Sequence, residues 1–237
     1  LSDQLQMFPE SNLPQFKHMI NYLEKQAREL NGDQKFSRAI SIVPTYLGMA
    51  CVQGFFNSVS PLIQTIDIDI EPKHRCPNLS TTHPIIGISA MGNGSLDVPR
   101  DSSQRVRRYA YLQKNQSGVI HSLASIMSEL DPNTDPVFQK LRRGEGWIGF
   151  VPSSQIQVVP FWKILSSDRD PALQKILEKK RIIVGVNATG TEDVVLSPYS
   201  QPIPGPFVHA IALANLLQGN FLQVVPTEFL SFSMFIV

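Results

Sequence analysis

"PALQKILEKKRIIVGVNATGTEDVVLSP", residues 171–198, carries the reading of the fold. It is a helix running directly into an apolar strand, which is the αβ half of a parallel crossover. The strand then enters a glycine-containing turn and a polar loop. Gly185 and Gly190 have the G-x-x-x-x-G spacing of a phosphate cradle, but a Walker loop needs Lys and then Ser or Thr directly after. Thr191, Glu192 and Asp193 follow instead, and two carboxylates there repel a polyphosphate. The dinucleotide fingerprint G-x-G-x-x-G does not occur in this turn either. The turn therefore reads as architecture at an edge of the sheet, not as a nucleotide grip.

Working outward, "PYSQPIPGP" (198–206) is a rigid loop that leads into "GPFVHAIALANLLQGNFL" (205–222), the strongest helix of the chain. Val208, Ile211, Ala212, Asn215 and Leu216 lie along one side of it, and "QGN" stops it. Upstream, residues 14–30 have the period of an amphipathic helix, and a short second helix follows over Asp33 to Ile40. "AISIVPTYLGMACVQGFF" (39–56) reads as a buried strand in which Pro44 limits central pairing. "IDIDI" (66–70) alternates as an exposed strand does. "PIIGISAMG" (84–92) reads as a buried strand, "RVRRYAYLQ" (105–113) as a half-buried one, and "HSLASIMSEL" (121–130) as an amphipathic helix. "GWIGFVP" (146–152) and "IQVVPFWKIL" (156–165) supply another strand and the entry to a helix. No internal repeat or low-complexity linker divides the chain, so one α/β domain is the economical reading.

Composition narrows the function. Of 237 residues, 42% are hydrophobic and 17% charged, which is too apolar for disorder. A net charge of +1, with no basic stripe interleaved with aromatics, argues against a nucleic-acid partner. The chain begins at Leu1 without a signal peptide's pattern. It ends in "PTEFLSFSMFIV" (226–237), which reads either as the first turns of a membrane span or as a last core element. Domain boundaries follow: one domain over 1–226, and the start of a transmembrane segment over 227–237.

Side chains with chemistry each have a plainer reading beside the sharper one. The five histidines form no metal-ligand spacing and no G-x-S-x-G elbow exists. Asp67 and Asp69 share a strand face that would grip a cation or, more simply, be solvated. Cys51 and Cys76 form a disulfide in an oxidising compartment, or, in the plainer reading, remain a buried thiol and a loop thiol. Arg105 and Arg107 lie on one strand face and Arg108 on the other. An inward arginine needs a carboxylate, with Asp101, Glu192 and Asp193 available, and a structural ion pair is favoured over an anion site. His209, between Val208 and Ala210, reads as a packed core histidine before it reads as a catalyst.

In order, "DSSQRVRRYAYL" (101–112), "GWIGFVP" (146–152), "KKRIIVGVNATGTEDVVLSP" (179–198) and "PIPGPFVHAIALANLLQGNFL" (202–222) resemble the type-two CHASE domain. That family is an extracytoplasmic sensory module of bacterial adenylate or diguanylate cyclases, histidine kinases and serine/threonine kinases. Gly185, Ala188, Asp193, Pro198, Pro204, Gly205, His209 and Ala210 fall on its closing signature. Asp101, Val106, Arg107 and Arg108 match upstream, while Ser103 and Gln104 stand where an acidic residue and a glycine are usual. The family's opening β-α-β unit is missing its first part. The resemblance runs from about residue 84 to 226, and more weakly over 3–60.

The resemblance implies an α/β layered sandwich, a mostly parallel (mixed) sheet with helices on both faces. It implies a sensory role without catalysis, metal or cofactor, in which an unknown small-molecule or environmental signal shifts an output across the inner membrane. Adjacent transmembrane helices and a homodimer in the full-length protein are expected. Arg107, Thr189, Asp193 and His209 are the expected ligand-binding residues, near the carboxyl ends of parallel strands. The rival readings are a structural assembly domain with dimer contacts over 91–100 and 196–206, and a hydrolase or transferase.

Overall fold

The computed structural model describes residues 32–52, 64–80, 83–166, 170–186 and 193–223. The helix expected over 14–30, the far end of the strand expected over 39–56 and the apolar end at 227–237 lie wholly or mainly outside them. The described residues form two compact units, 32–45 with 83–91, and 46–80 with 92–223.

In the smaller unit, helix α1 (Gly32–Ile42) bears out the short second helix. It packs on helix α2 (Pro84–Ser89), where a buried strand was expected. Pro84 decides this: its fixed φ suits a first helical turn, and the His83 carbonyl accepts from the amides of Ile86 and Gly87 at 2.9 and 3.0 Å. A short apolar run looks the same in either period, and Ile88 is 74% exposed. The buried Ser37 joins the helices, donating to the Ile85 carbonyl at 3.1 Å and meeting Ser89 Oγ at 2.5 Å.

The larger unit mixes helices with several small sheets, so the α/β class holds. Strand β1 (Tyr46–Met49) pairs in parallel with β5 (Gly92–Ser95). β2 (Cys51–Val52) pairs with β4 (Asn78–Leu79). A three-stranded sheet runs β3 (Thr65–Ile66), β8 (Gly118–His121), β7 (Leu112–Asn115), and another β12 (Phe221–Leu222), β9 (Glu145–Ile148), β6 (Arg108–Ala110). β10 (Val194–Leu196) and β11 (Pro202–Pro204) form a hairpin.

The expectation of a mostly parallel sheet is corrected here. Six of the seven ladders among the described residues are antiparallel. Short connections are the reason for two of them: β7 runs into β8 and β10 into β11 through brief turns, which permit only an antiparallel return. The crossover half is also corrected. Helix α6 (Pro171–Leu177) forms, but residues 181–186 join no ladder among the described residues. Asp67 and Asp69 likewise lie beyond β3 rather than on one strand face.

The strand expected to be half-buried is buried on both faces, with Tyr109, Ala110, Tyr111 and Leu112 all 0% exposed. Helix α7 (Gly205–Gln218) and helix α3 (Leu123–Ser128) pack on each other, and both contribute to the core around it. Ser122 caps α3 by accepting from the Ser125 amide at 3.2 Å. Gly219, at φ +62°, ends α7 as expected; glycine has no Cβ to oppose that left-handed turn. Two further helices, α4 (Pro136–Gln139) and α5 (Phe161–Ser166), complete the unit. No helix among the described residues is long and apolar enough to cross a membrane.

Cys51 and Cys76 are disulfide-bonded, their Cα atoms 5.5 Å apart. This corrects the plainer reading of two separate thiols. β2 and β4 set the geometry, because Cys51 pairs with Leu79 in the ladder and brings its side chain to the loop that holds Cys76.

Candidate functional site

The residues of the closing signature meet at the start of α7. The Gly205 amide donates to the Asp193 carbonyl at 2.9 Å. A Cβ on Gly205 would collide with the Asp193 carboxylate, and one on Gly185 would collide with the Pro206 ring. Both ends of the segment 185–193 therefore abut the first two residues of one helix. Glycine is required at these places by close approach rather than by backbone angle. The β10–β11 hairpin holds this arrangement, and the Val106 amide, donating to the Leu196 carbonyl at 2.9 Å, joins it to the arginine segment.

The four expected ligand residues take separate positions. Arg107 is ion-paired with Asp101, whose Oδ1 also accepts from the Ser103 and Arg105 amides at 2.8 and 3.0 Å. Arg107 is thus held in a structural pair, as the plainer reading had it. Asp193 is exposed beside Gly205. His209 is buried one helical turn further on, its Nδ1 2.7 Å from the Tyr109 hydroxyl. Thr189 lies outside the described residues. The structure thus brings Asp193 to the opening of the helix that carries His209, and engages Arg107 elsewhere.

Burial governs the ionisation of this core. It lowers the His209 pKa to about 4, so the imidazole is neutral at physiological pH. Burial pushes the Tyr109 and Tyr111 hydroxyls up from the ordinary tyrosine range. His121, whose Nδ1 is 2.8 Å from Ser125 Oγ, is lowered to about 4 for the same reason. Neutral, hydrogen-bonded and enclosed, these groups hold the fold together.

A second feature has a different character. A cavity of about 770 Å³ is walled by Lys73, Arg108, Lys140, Arg142, Arg143 and Glu145, with Trp147, Phe221 and Leu222 among its apolar parts. Glu145 is 7% exposed and accepts from Arg108 at 2.9 Å, with Lys73 at 4.0 Å. The Arg108 guanidinium lies 5.7 Å over the Trp147 ring. β6, β9 and β12 form one sheet, and its register sets Arg108, Trp147 and Leu222 side by side on one wall. Arg142 and Arg143 come from the turn before β9, and the Arg142 amide donates to the Glu145 carbonyl at 2.9 Å.

A family model described as the CHASE2 domain matches residues 7–237. The chain belongs to the CHASE2 domain family. CHASE2 domains are extracellular sensory modules of membrane signalling proteins, so this one has a sensory rather than a catalytic role. No curated protein and no solved structure matches it. Among the described residues of this CHASE2 domain, no group of three or more His, Cys, Asp or Glu is placed to hold a metal ion.

The cavity was missed by sequence reading, although part of its signal is local. "KLRRGEGW" (140–147) packs three cations and one carboxylate into a turn and strand. The rest is not local: Lys73, Arg108 and Phe221 come from three distant segments, and only the strand pairing unites them.

Proposed function

We propose that this CHASE2 domain is the signal-input part of a bacterial transmembrane signalling protein, an adenylate or diguanylate cyclase or a histidine kinase. It works on the outer side of the inner membrane, as a homodimer in the full-length protein, joined to the membrane through adjoining helices. Residues 1–226 act as one sensory domain and 227–237 open a spanning segment. A ligand that binds one arrangement better than another shifts the population and so the output.

The observation that carries this reading is the family match over residues 7–237. The Cys51–Cys76 disulfide supports it, because such bonds persist in oxidising compartments outside the cytoplasm. In this reading the signature residues position elements: Asp193 closes against the start of α7, and His209 ties α7 to Tyr109 in the sheet.

The test is the side of the membrane. Lys175 is exposed, and a Lys175→Cys variant of the full-length protein in intact cells should react with a membrane-impermeant maleimide. Labelling only after the inner membrane is broken would overturn the proposal.

A further inference from the structure

We propose that the basic cavity binds a small organic anion carrying phosphate or carboxylate groups on a planar or apolar body. The first argument is charge. Five cations, Lys73, Arg108, Lys140, Arg142 and Arg143, face the cavity with one carboxylate, Glu145. Glu145 is already occupied by Arg108 at 2.9 Å. A second carboxylate, Glu71, sits outside the lining and engages Arg143, 3.9 Å from its guanidinium, as well as Lys114 at 3.0 Å. Lys140 has a carbonyl partner, that of Gly219 at 3.4 Å, but no carboxylate among the described residues. Arg142 has no side-chain partner among the described residues. Positive charge is left over on a concave wall, where low-dielectric surroundings focus the field.

The second argument is shape. The volume of about 770 Å³ suits a small molecule. Guanidinium groups offer planar forks that match carboxylate and phosphate oxygens in pairs, which an ammonium does not. Trp147 and Leu222, neighbours in the sheet register, provide apolar surface for the rest of the ligand. A bare inorganic ion would use the cations and leave the apolar side chains idle. A ligand with both parts uses the whole wall.

The third argument is placement. Gly219, Phe221 and Leu222 belong to the wall and directly follow α7. An anion held there touches the end of the helix whose start meets Gly185 and Asp193. This consequence for signalling rests on the sensory role proposed above; binding itself does not.

The experiment is calorimetric titration of the purified chain with inorganic phosphate, succinate and phenyl phosphate, each against sodium chloride at matched ionic strength. Sedimentation with phosphatidylglycerol vesicles, against phosphatidylcholine vesicles, separates a free anion from a lipid headgroup as the source of the oxyanion. Phenyl phosphate should bind roughly tenfold tighter than inorganic phosphate. Arg142→Gln and Arg143→Gln, both at exposed positions, should each weaken binding by about tenfold or more. Lys175→Gln should not.

Binding to anionic vesicles alone, with the same loss in both variants, assigns the same recognition to a headgroup. No binding to any probe, or binding indifferent to both variants, overturns the proposal. Binding that leaves the output of the full-length protein unchanged sustains the site and overturns the sensory reading instead.

Discussion

Tyr109 and His209 stand 100 residues apart in sequence and share a 2.7 Å hydrogen bond between the phenol oxygen and Nδ1. The rings meet edge to face, 5.7 Å between centroids. The Tyr109 oxygen also lies 3.4 Å from the Ala124 amide, which donates to it. One hydroxyl thus ties β6, α3 and α7 together, and His209 is a part of the core rather than a group waiting for a substrate.

This arrangement sets a pH dependence. The folded-state pKa values of His209 and His121 lie at about 4, against 6.5 for the free side chain. The unfolded chain therefore takes up protons first as pH falls, so stability is full above about pH 6.5 and declines towards pH 4. Each histidine contributes up to about 3 kcal/mol to the decline. Urea denaturation across pH 8 to 4 should show it, and His209→Gln should flatten the slope. Asp97, lowered chiefly by its 2.7 Å hydrogen bond with His74, loses its contribution only at more acidic pH, below the ordinary carboxylate value.

Gly205→Ala and Gly185→Ala should each destabilise the domain by about 1–3 kcal/mol, because each new methyl meets a fixed neighbour. The two differ in rescue. Adding Asp193→Ala should relieve Gly205→Ala, whose obstacle is the Asp193 carboxylate, and leave Gly185→Ala unrelieved, since its obstacle is Pro206. A double-mutant cycle by thermal unfolding reads the difference.

Asn215→Leu keeps nearly the same volume and strips a buried amide of its role. Asn215 Oδ1 accepts from the Gly149 amide at 2.9 Å, and its Nδ2 donates to the Gly149 and Ile211 carbonyls at 3.2 and 2.9 Å. The orphaned Gly149 groups should cost about 1–3 kcal/mol. Denaturant midpoints of the variant and the wild type check this.

Replacing Cys51 and Cys76 by serine opens a crosslink spanning 25 residues. Loop entropy puts the loss near 3 kcal/mol. Unfolding of the wild type with and without dithiothreitol should match that difference, and the double serine variant should be indifferent to the reductant.

Much of this was legible where local rules suffice. The presence of α7 with its glycine stop and of a helix at α3 shows in the residues themselves, although α3, expected to be amphipathic, is buried at every position. The family signature was legible too, and in space its Gly185 and Asp193 prove to abut Pro206 and Gly205, the first residues of α7. The run 84–92 was misread because an apolar hexapeptide suits either period and only the proline speaks for a helix. The segment after α6 was misread because an apolar run names no partner strand. The site failed for a related reason. An inward arginine was expected to need Asp101, Glu192 or Asp193, yet Arg108 pairs with Glu145, 37 residues away. Nothing short of the β6–β9 register brings the two together.

Helix α7 is 14 residues long, a bar of about 21 Å. One tip presses on Gly185 and Asp193, and the other leads straight into the strand that walls the basic hollow. Tyr111 grips its middle through the Ala212 carbonyl at 3.0 Å. Hydrogen-bonded along its axis, such a bar scarcely shortens, so a nudge at one tip arrives at the other as displacement instead of being absorbed between them.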